Sequence, residues 1–218
     1  MTDSLPDPGS PHEQILQAVL ATIGDKKVAG TRMREIARRA GMSPGHLHYY
    51  YPSKDGLFLA LLEYIGKLFA EERWDWVRDP SLSPKSKLQN FLAQKQNLIA
   101  QRGDLMRARL DFVVQGTSTP QIAEQIRRQY VAWRADISAV ISEGVERGEF
   151  REQYTASVPD LMVALMEGAM MQYLIDPENF DLDGYFDISH EMVLGVLCDP
   201  NADVVGELRK LPDPDPTK

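Results

Sequence analysis

The chain has 218 residues, 43% of them hydrophobic, enough to bury the core of one larger or two smaller domains and too many for a disordered chain. Its net charge of −8 argues at first sight against a nucleic-acid partner, and its single cysteine, Cys198, excludes an internal disulfide or a thiolate metal cluster and suits a reducing, cytoplasmic setting. The start, MTDSLPDPGSPHEQ, has neither the basic nor the apolar region of a signal peptide. The longest apolar stretch, Leu161 to Ile175, is about one turn short of a bilayer span and is interrupted by Glu167, Gly168 and Gln172, so a soluble protein with no membrane partner is expected.

Residues 1–10 read as a disordered tail and 201–218 as a second, ending in the Pro/Asp-rich LPDPDPTK. Between them apolar residues recur at three- and four-residue steps, and no stretch alternates as a strand would. Ile15, Leu16, Val19, Leu20 and Ile23 predict a helix over about 11–25. Thr31 to Lys54 then reads as two short helices around a tight turn. Ile36, Ala37 and Ala40 give the first an apolar stripe, with Met33 at its leading edge, and Gly41 supplies a reversal at positive φ. Ser43 is an N-cap, and Pro44 falls at N1, where its missing N–H costs nothing. The result is a helix-turn-helix pattern, whose second helix enters the major groove.

Ser53 caps a longer helix, with Leu57, Leu61, Leu62, Ile65 and Phe69 on its stripe, that runs to about Val77 and is broken by Asp79-Pro80. Five more follow. The first spans about 84–101, and the second is capped by Asp104 and runs through Val114. A long helix carrying Ile122, Ile126, Trp133, Ile137 and Val140 reaches about Arg147, with Gly148 as its C-cap. Helices over about 157–175 and 183–197 complete the set. The fold expected is all-α, about nine helices. The 157–175 segment is apolar nearly all round, and its Ala164, Gly168 and Ala169 permit close approach of another helix.

The charge is unevenly divided. Residues 26–54 hold seven basic side chains against one acid, Glu35, so a local +6 sits against a remainder of −14. Attraction between exposed charges is screened beyond about 8–10 Å at ordinary salt, so a basic face on an acidic body still holds DNA, and favours one docking face. Arg32, Ser43, His46, His48, Tyr49, Tyr50 and Lys54 have the chemistry to meet phosphates or base edges. Tyr49 and Tyr50 suit phosphates, Gly45 permits close backbone approach, and His46 points towards the groove floor. Lys54 suits a phosphate drawn to a helix N-terminus. Leu47 and Tyr51 suit the core, while Arg38 and Arg39 fit either phosphate contacts or solvent.

At these residues the chain resembles the TetR family of transcriptional regulators. The matching pieces are Ile15-Leu16 with Ala18, Thr31, Ile36-Ala37-Arg38-Arg39-Ala40-Gly41, Met42-Ser43-Pro44-Gly45 and Leu47-His48-Tyr49-Tyr50-Tyr51-Pro52-Ser53-Lys54, closing with Leu57-Phe58. Their spacing fits without insertion or deletion. His48 stands where tyrosine is commonest, Tyr51 where phenylalanine is usual, and Lys27 where a glycine often ends the first helix. The resemblance covers roughly residues 11–60. It implies an N-terminal three-helix DNA-binding domain over 11–52, with contacts from Thr31, Arg32, Ser43, Pro44, Gly45, His46, His48, Tyr49, Tyr50 and Lys54. It also implies a helical ligand-binding and dimerisation domain over 53–200. The partners implied are double-stranded operator DNA, a second copy of the chain paired through 157–175 and 183–197, and a small, largely apolar effector that releases repression. No cofactor and no metal are implied.

Met106, Phe112, Trp133, Met166, Met170 and Tyr173 are candidates to line the effector cavity, since methionine and aromatic side chains suit adaptable apolar pockets. Arg107 and Arg109 either neutralise an acidic ligand or face water. Signals for an enzyme are poor. His190 with Asp187 and Glu191 lacks the HExxH order, Asp181-Leu182-Asp183-Gly184 places its glycine two positions too early for an EF-hand, and Cys198 reads as an inert packed thiol. Two other readings remain open: an all-helical ligand-binding protein or enzyme whose N-terminal module binds protein, and a DNA-binding architectural protein without an effector.

Overall fold

A computed structural model describes residues 5–77 and 79–198, without the side chains of 69–76. The expected tail over 201–218 lies outside the described residues, as do the first four residues. Among the described residues there are nine α-helices and no strand: α1 Pro11–Gly30, α2 Met33–Arg39, α3 Pro44–Tyr50, α4 Lys54–Val77, α5 Pro84–Gln101, α6 Gly103–Gly116, α7 Pro120–Glu146, α8 Val158–Ile175 and α9 Leu182–Cys198.

Local chemistry sets most of these boundaries. The Ser10 hydroxyl accepts the Glu13 N–H at 3.2 Å, with Pro11 at the first helical position. Residues 5–10 are not the free tail expected from composition: Ser10 N–H donates to the Asp7 carbonyl at 3.0 Å, and Leu5 packs against the core. α1 extends past its expected end near residue 25 but kinks at Lys27, which lies at φ 57°, ψ 168°, a region open mainly to glycine. Gly41 adopts φ +67° and lets Met42 N–H reach back to the Ala37 carbonyl at 3.0 Å, closing α2. The hydroxyls of Ser43 and Ser53 cap α3 and α4, accepting His46 N–H at 3.1 Å and Gly56 N–H at 3.0 Å.

The start of α6 also differs from the sequence expectation. Asp104 does not cap α6. The helix begins at Gly103 behind Arg102, and Asp104 lies in the first turn, where its charge suits the helix dipole. Asp181, in the string that resembles a calcium loop, accepts Gly184 N–H at 3.0 Å at the start of α9. A carboxylate engaged at a helix start accounts for that string without a metal.

The core is continuous from the N-terminal helices into the body. α1 packs on α2 and α4 and, through its far end, on α6; α7 packs against α4, α5, α6 and α8. Val28 N–H, just after the Lys27 kink, donates to the Asp111 carboxylate of α6 at 3.2 Å, which ties the small N-terminal unit to the body. α8 is longer than the apolar stretch read from sequence. At 18 residues and a mean hydropathy of 1.2, its length and composition alone would permit a bilayer crossing. Its Met162, Val163, Met166, Ala169 and Met170 are instead buried within the chain, while Leu161, Met171 and Ile175 face outward.

Candidate nucleic-acid interface and ligand cavity

α3 is held by Leu47 and, at its end, by the partly buried Tyr50, and otherwise points out. Leu47 is fully buried, whereas Ser43, Pro44, Gly45, His46, His48 and Tyr49 are exposed, Tyr49 at 80%. An aromatic at that exposure contributes nothing to the core, so its place on a helix surface needs another reason. The rings form a chain: His46 and Tyr50 centroids are 5.2 Å apart, Tyr49 and Tyr50 5.4 Å, and His12 of α1 meets Tyr50 edge-on at 5.0 Å. His12 Nδ1 also lies 3.1 Å from the Tyr51 hydroxyl, whose pKa is pushed up by burial. His12, not singled out by sequence, thus braces the back of α3 and sets the direction of Tyr50.

The basic residues divide by role. Arg32 is exposed at the start of α2. Arg38 forks onto Glu35 at 2.7 and 3.1 Å, and Arg39 bridges Glu35 and Asp25. These bonds, Arg38's first, hold the Glu35 carboxyl down at about 2. Arg39, through Asp25, therefore braces α2 against α1, whereas the Arg38 fork lies within α2. Thr31 is corrected: it is 1% exposed, and its hydroxyl donates to the Lys27 carbonyl at 2.8 Å. It closes the kink in α1 and offers nothing to DNA through its side chain. Lys54 is half-buried, its ammonium 3.5 Å from the Val28 carbonyl and 5.1 Å from the Phe58 ring centroid. The string Gly41-Met42-Ser43-Pro44-Gly45 has the GxSxG form of a hydrolase elbow, but it joins two helices, and its serine hydroxyl is taken by the α3 cap.

Within the body a cavity of about 30 Å³ is lined by Lys95, Leu98, Ile99, Met106, Arg109, Trp133, Met166, Glu167 and Met170. Four of the six residues expected to line it do so. Phe112 does not: it is fully buried against Phe58 of α4, with ring centroids 6.0 Å apart. Tyr173 packs against the core without lining the cavity. Sequence reading missed Lys95 and Glu167 and left Arg109 undecided. Arg109 is 1% exposed, whereas Arg107 is exposed. Its guanidinium donates to Glu167 Oε1 at 2.7 and 3.2 Å and to Gln129 Oε1 at 2.7 Å, and lies 4.6 Å from the Trp133 ring centroid. Lys95 Nζ lies 5.1 Å from the same ring. Cys198, expected to be packed, is exposed at the end of α9; partial burial raises its pKa, which leaves little thiolate.

A capped helix-turn-helix with an exposed polar and aromatic second helix is a DNA-binding module, and here it is bonded to a helical body that encloses a cavity. Comparison with known proteins narrows the class. Residues 15–61 match the family described as bacterial regulatory proteins, tetR family, and residues 84–197 match BetI-type transcriptional repressor, C-terminal. The BetI regulator of Paraburkholderia xenovorans is 26% identical over 171 residues, covering 77% of this chain and 84% of that protein. A TetR transcription regulator from Haloarcula marismortui shares the fold with a TM-score of 0.79 at 24% identity, covering 86% of this chain and 98% of that one. A transcriptional regulator from Saccharomonospora viridis in complex with choline does so with a TM-score of 0.77 at 20% identity, covering 85% and 96%. The chain belongs to the TetR family of transcriptional regulators. It is a ligand-responsive DNA-binding regulator and not an enzyme.

Proposed function

We propose that this chain is a cytoplasmic, homodimeric repressor released from a palindromic operator by a small, largely apolar effector. Its DNA-binding unit spans 11–52 and its ligand-binding and dimerisation unit 53–200. The exposed face of α3 carries the reading. His46 and Arg32 meet base edges; Ser43, His48, Tyr49, Tyr50 and Lys54 meet phosphates, with Pro44 and Gly45 allowing the backbone to come close. Six of these residues lie exposed on one seven-residue helix and the cap residue before it, and Tyr50 is steered by His12.

The second copy is supported by an apolar face that the chain itself leaves uncovered. Leu161, Ala164, Gly168, Met171 and Ile175 recur at helical spacing along α8, and Ile188, Met192 and Gly195 along α9. Paired with their own copies, they form a four-helix seam that holds two recognition helices at half-sites about 34–36 Å apart, or a multiple of that.

The effector enters the cavity between α5, α6, α7 and α8. At about 30 Å³ this space is roughly one water's share of the liquid, so a larger guest must push side chains aside. Met106, Met166 and Met170 are suited to yield. α6 carries both Met106 and Asp111, which holds the Val28 N–H of α1, so displacement of α6 reaches the DNA-binding unit directly. An effector shifts the equilibrium only through its differential affinity for the two arrangements. The Saccharomonospora regulator is in complex with choline, a cation; here a cation would meet Lys95 and Arg109 already beside Trp133.

The test is selection of bound DNA from a random pool by the full chain, repeated with a metabolite panel. Enrichment of an inverted repeat that is lost with a particular compound supports the proposal. No enrichment overturns it.

A further inference from the structure

α3, with the sequence PGHLHYY, carries no lysine, arginine, aspartate or glutamate. Histidine is the ordinary side chain whose charge changes between about pH 5 and 8, so His46 and His48 set the charge of this helix near neutrality. Both are exposed. Among the described residues neither imidazole makes a hydrogen bond or an ion pair with the protein, and His46 meets only the Tyr50 ring. With His12 behind Tyr50, three of the chain's four histidines lie in this unit; the fourth, His190, is on α9. Several permanent cations of the same unit are already engaged: Arg38 on Glu35, Arg39 on Glu35 and Asp25, Lys26 4.0 Å from Glu35, and Lys54 beside the Val28 carbonyl. Resting on the reading of α3 as the operator-reading helix of a repressor, we infer that operator binding takes up protons, at His48 against a phosphate and at His46 against a guanine edge. The chain then holds its operator more tightly as pH falls below neutral.

The sign follows from what surrounds the two imidazoles in each state. In the free protein the charged groups on the elements around α3 are Arg32, Arg34, Glu35, Arg38 and Arg39 of α2, and Lys54 and Asp55 at the start of α4. Glu35 is taken by Arg38 and Arg39, and no carboxylate among the described residues pairs with His46 or His48. On DNA each imidazole gains an acceptor that favours its charged form, so the bound state holds more protons than the free state and affinity rises as pH falls. The two positions differ in consequence. A phosphate is the same in every sequence, so His48 strengthens binding generally. Guanine presents two acceptors, O6 and N7, whereas adenine sets an N6–H donor beside N7, so a charged imidazole at position 46 selects guanine. His12 is placed differently. Its Nδ1 is 3.1 Å from the Tyr51 hydroxyl, and it shares a hollow with Asp7 and with Glu63 and Lys67 of α4, themselves paired at 2.9 Å; Glu13 beside it accepts the Gly9 N–H.

The experiment measures binding of the full chain to DNA selected from the random pool, by anisotropy across pH and by calorimetry in buffers of different ionisation enthalpy. From about pH 8 to about pH 6 the affinity is expected to rise about 10-fold or more, with uptake of about one proton per subunit near neutrality. The logarithmic salt dependence steepens by about one unit or more over the same range, as His48 gains charge opposite phosphate. His48→Arg, permanently charged, keeps the steeper slope at both ends of the range, and His48→Gln keeps the shallower one. Selection repeated at the two ends enriches guanine at one position of the half-site at the lower pH, and His46→Gln abolishes that shift. His12→Gln retains the response to pH. An affinity that is flat or falls on acidification, with salt-dependent binding intact, overturns the inference. So does a response that persists in the His46→Gln, His48→Gln double variant or is lost in His12→Gln. A base preference that does not move with pH overturns the role of His46. Absence of salt-dependent, sequence-selective binding at every pH would instead sink the repressor reading beneath it.

Discussion

A glutamate in place of Ile188 tests the proposed dimer. Ile188 is 61% exposed and Met192, one turn on, 52%, while Ile175 at the end of α8 is 75% exposed. In a two-fold seam each face meets its own copy, so one substitution enters twice. A carboxylate without a partner in a desolvated apolar contact costs about 3–5 kcal/mol, and two copies roughly 6–10 kcal/mol. That weakens association by a factor of at least about 10⁴, enough to turn a nanomolar dimer into a monomer at micromolar concentration. Sedimentation velocity reads the state, with circular dichroism to show that helix content is kept. Val114→Glu on α6 and Val131→Glu on α7 are the controls, since both valines are exposed apolar residues away from the proposed seam. An Ile188→Glu protein that stays dimeric, or controls that dissociate equally, refutes the seam.

Other outcomes follow from single residues. Lys54→Ala is expected to weaken binding to every sequence and flatten the logarithmic salt dependence by about one unit; an unchanged slope would confine Lys54 to its bond with Val28. His46→Ala or Arg32→Ala is expected to relax preference at one base position, and uniform weakening across all sequences would argue against base reading. Lys27→Gly relieves a backbone at φ 57° and is expected to add about 1 kcal/mol in urea unfolding, strain relief exceeding the entropy cost of glycine; a loss would show that Lys27 is unstrained. Glu35 has its folded pKa depressed to about 2 from 4.5, so its contribution is full above the unfolded value and is lost as pH falls through about 2. The gap in melting temperature between wild type and Glu35→Gln should therefore shrink on acidification, and a gap that widens contradicts the pairing with Arg38 and Arg39.

The helices were legible because apolar spacing and capping agree, from Ser43-Pro44 at α3 to Gly148 after α7. The kink at Lys27 and the start of α6 were not, because tertiary contacts decide them. Val28 is held there by Asp111, and α6 begins with no side-chain bond at its cap. The cavity was half legible. Met106, Trp133, Met166 and Met170 stood out as adaptable apolar residues, but Phe112 and Tyr173 have the same chemistry and sit in the core. The polar members did leave a signal. Lys95 continues the Leu88, Phe91, Leu98 stripe of α5, Arg109 falls between Leu105 and Phe112 on α6, and Gln129 between Ile126 and Trp133 on α7. A charged or amide side chain on the buried stripe of a helix must find a polar partner inside, and three such intrusions on adjacent helices point to a polar network. Arg107 and Arg109 look alike until their positions on that stripe are compared.

The most direct test of the central claim is anisotropy of the selected operator across a salt series, with wild type beside a triple His46→Ala, Tyr49→Ala, Tyr50→Ala variant. His46 and Tyr49 are exposed and Tyr50 is partly buried beside His12, while the fully buried Leu47 is kept, and circular dichroism checks that the variant keeps its helix content. The account predicts steeply salt-dependent, sequence-selective binding by wild type, and in the variant loss of selectivity with at most weak residual attraction from the basic face. Selective binding that survives the triple substitution would place DNA recognition elsewhere and contradict the account.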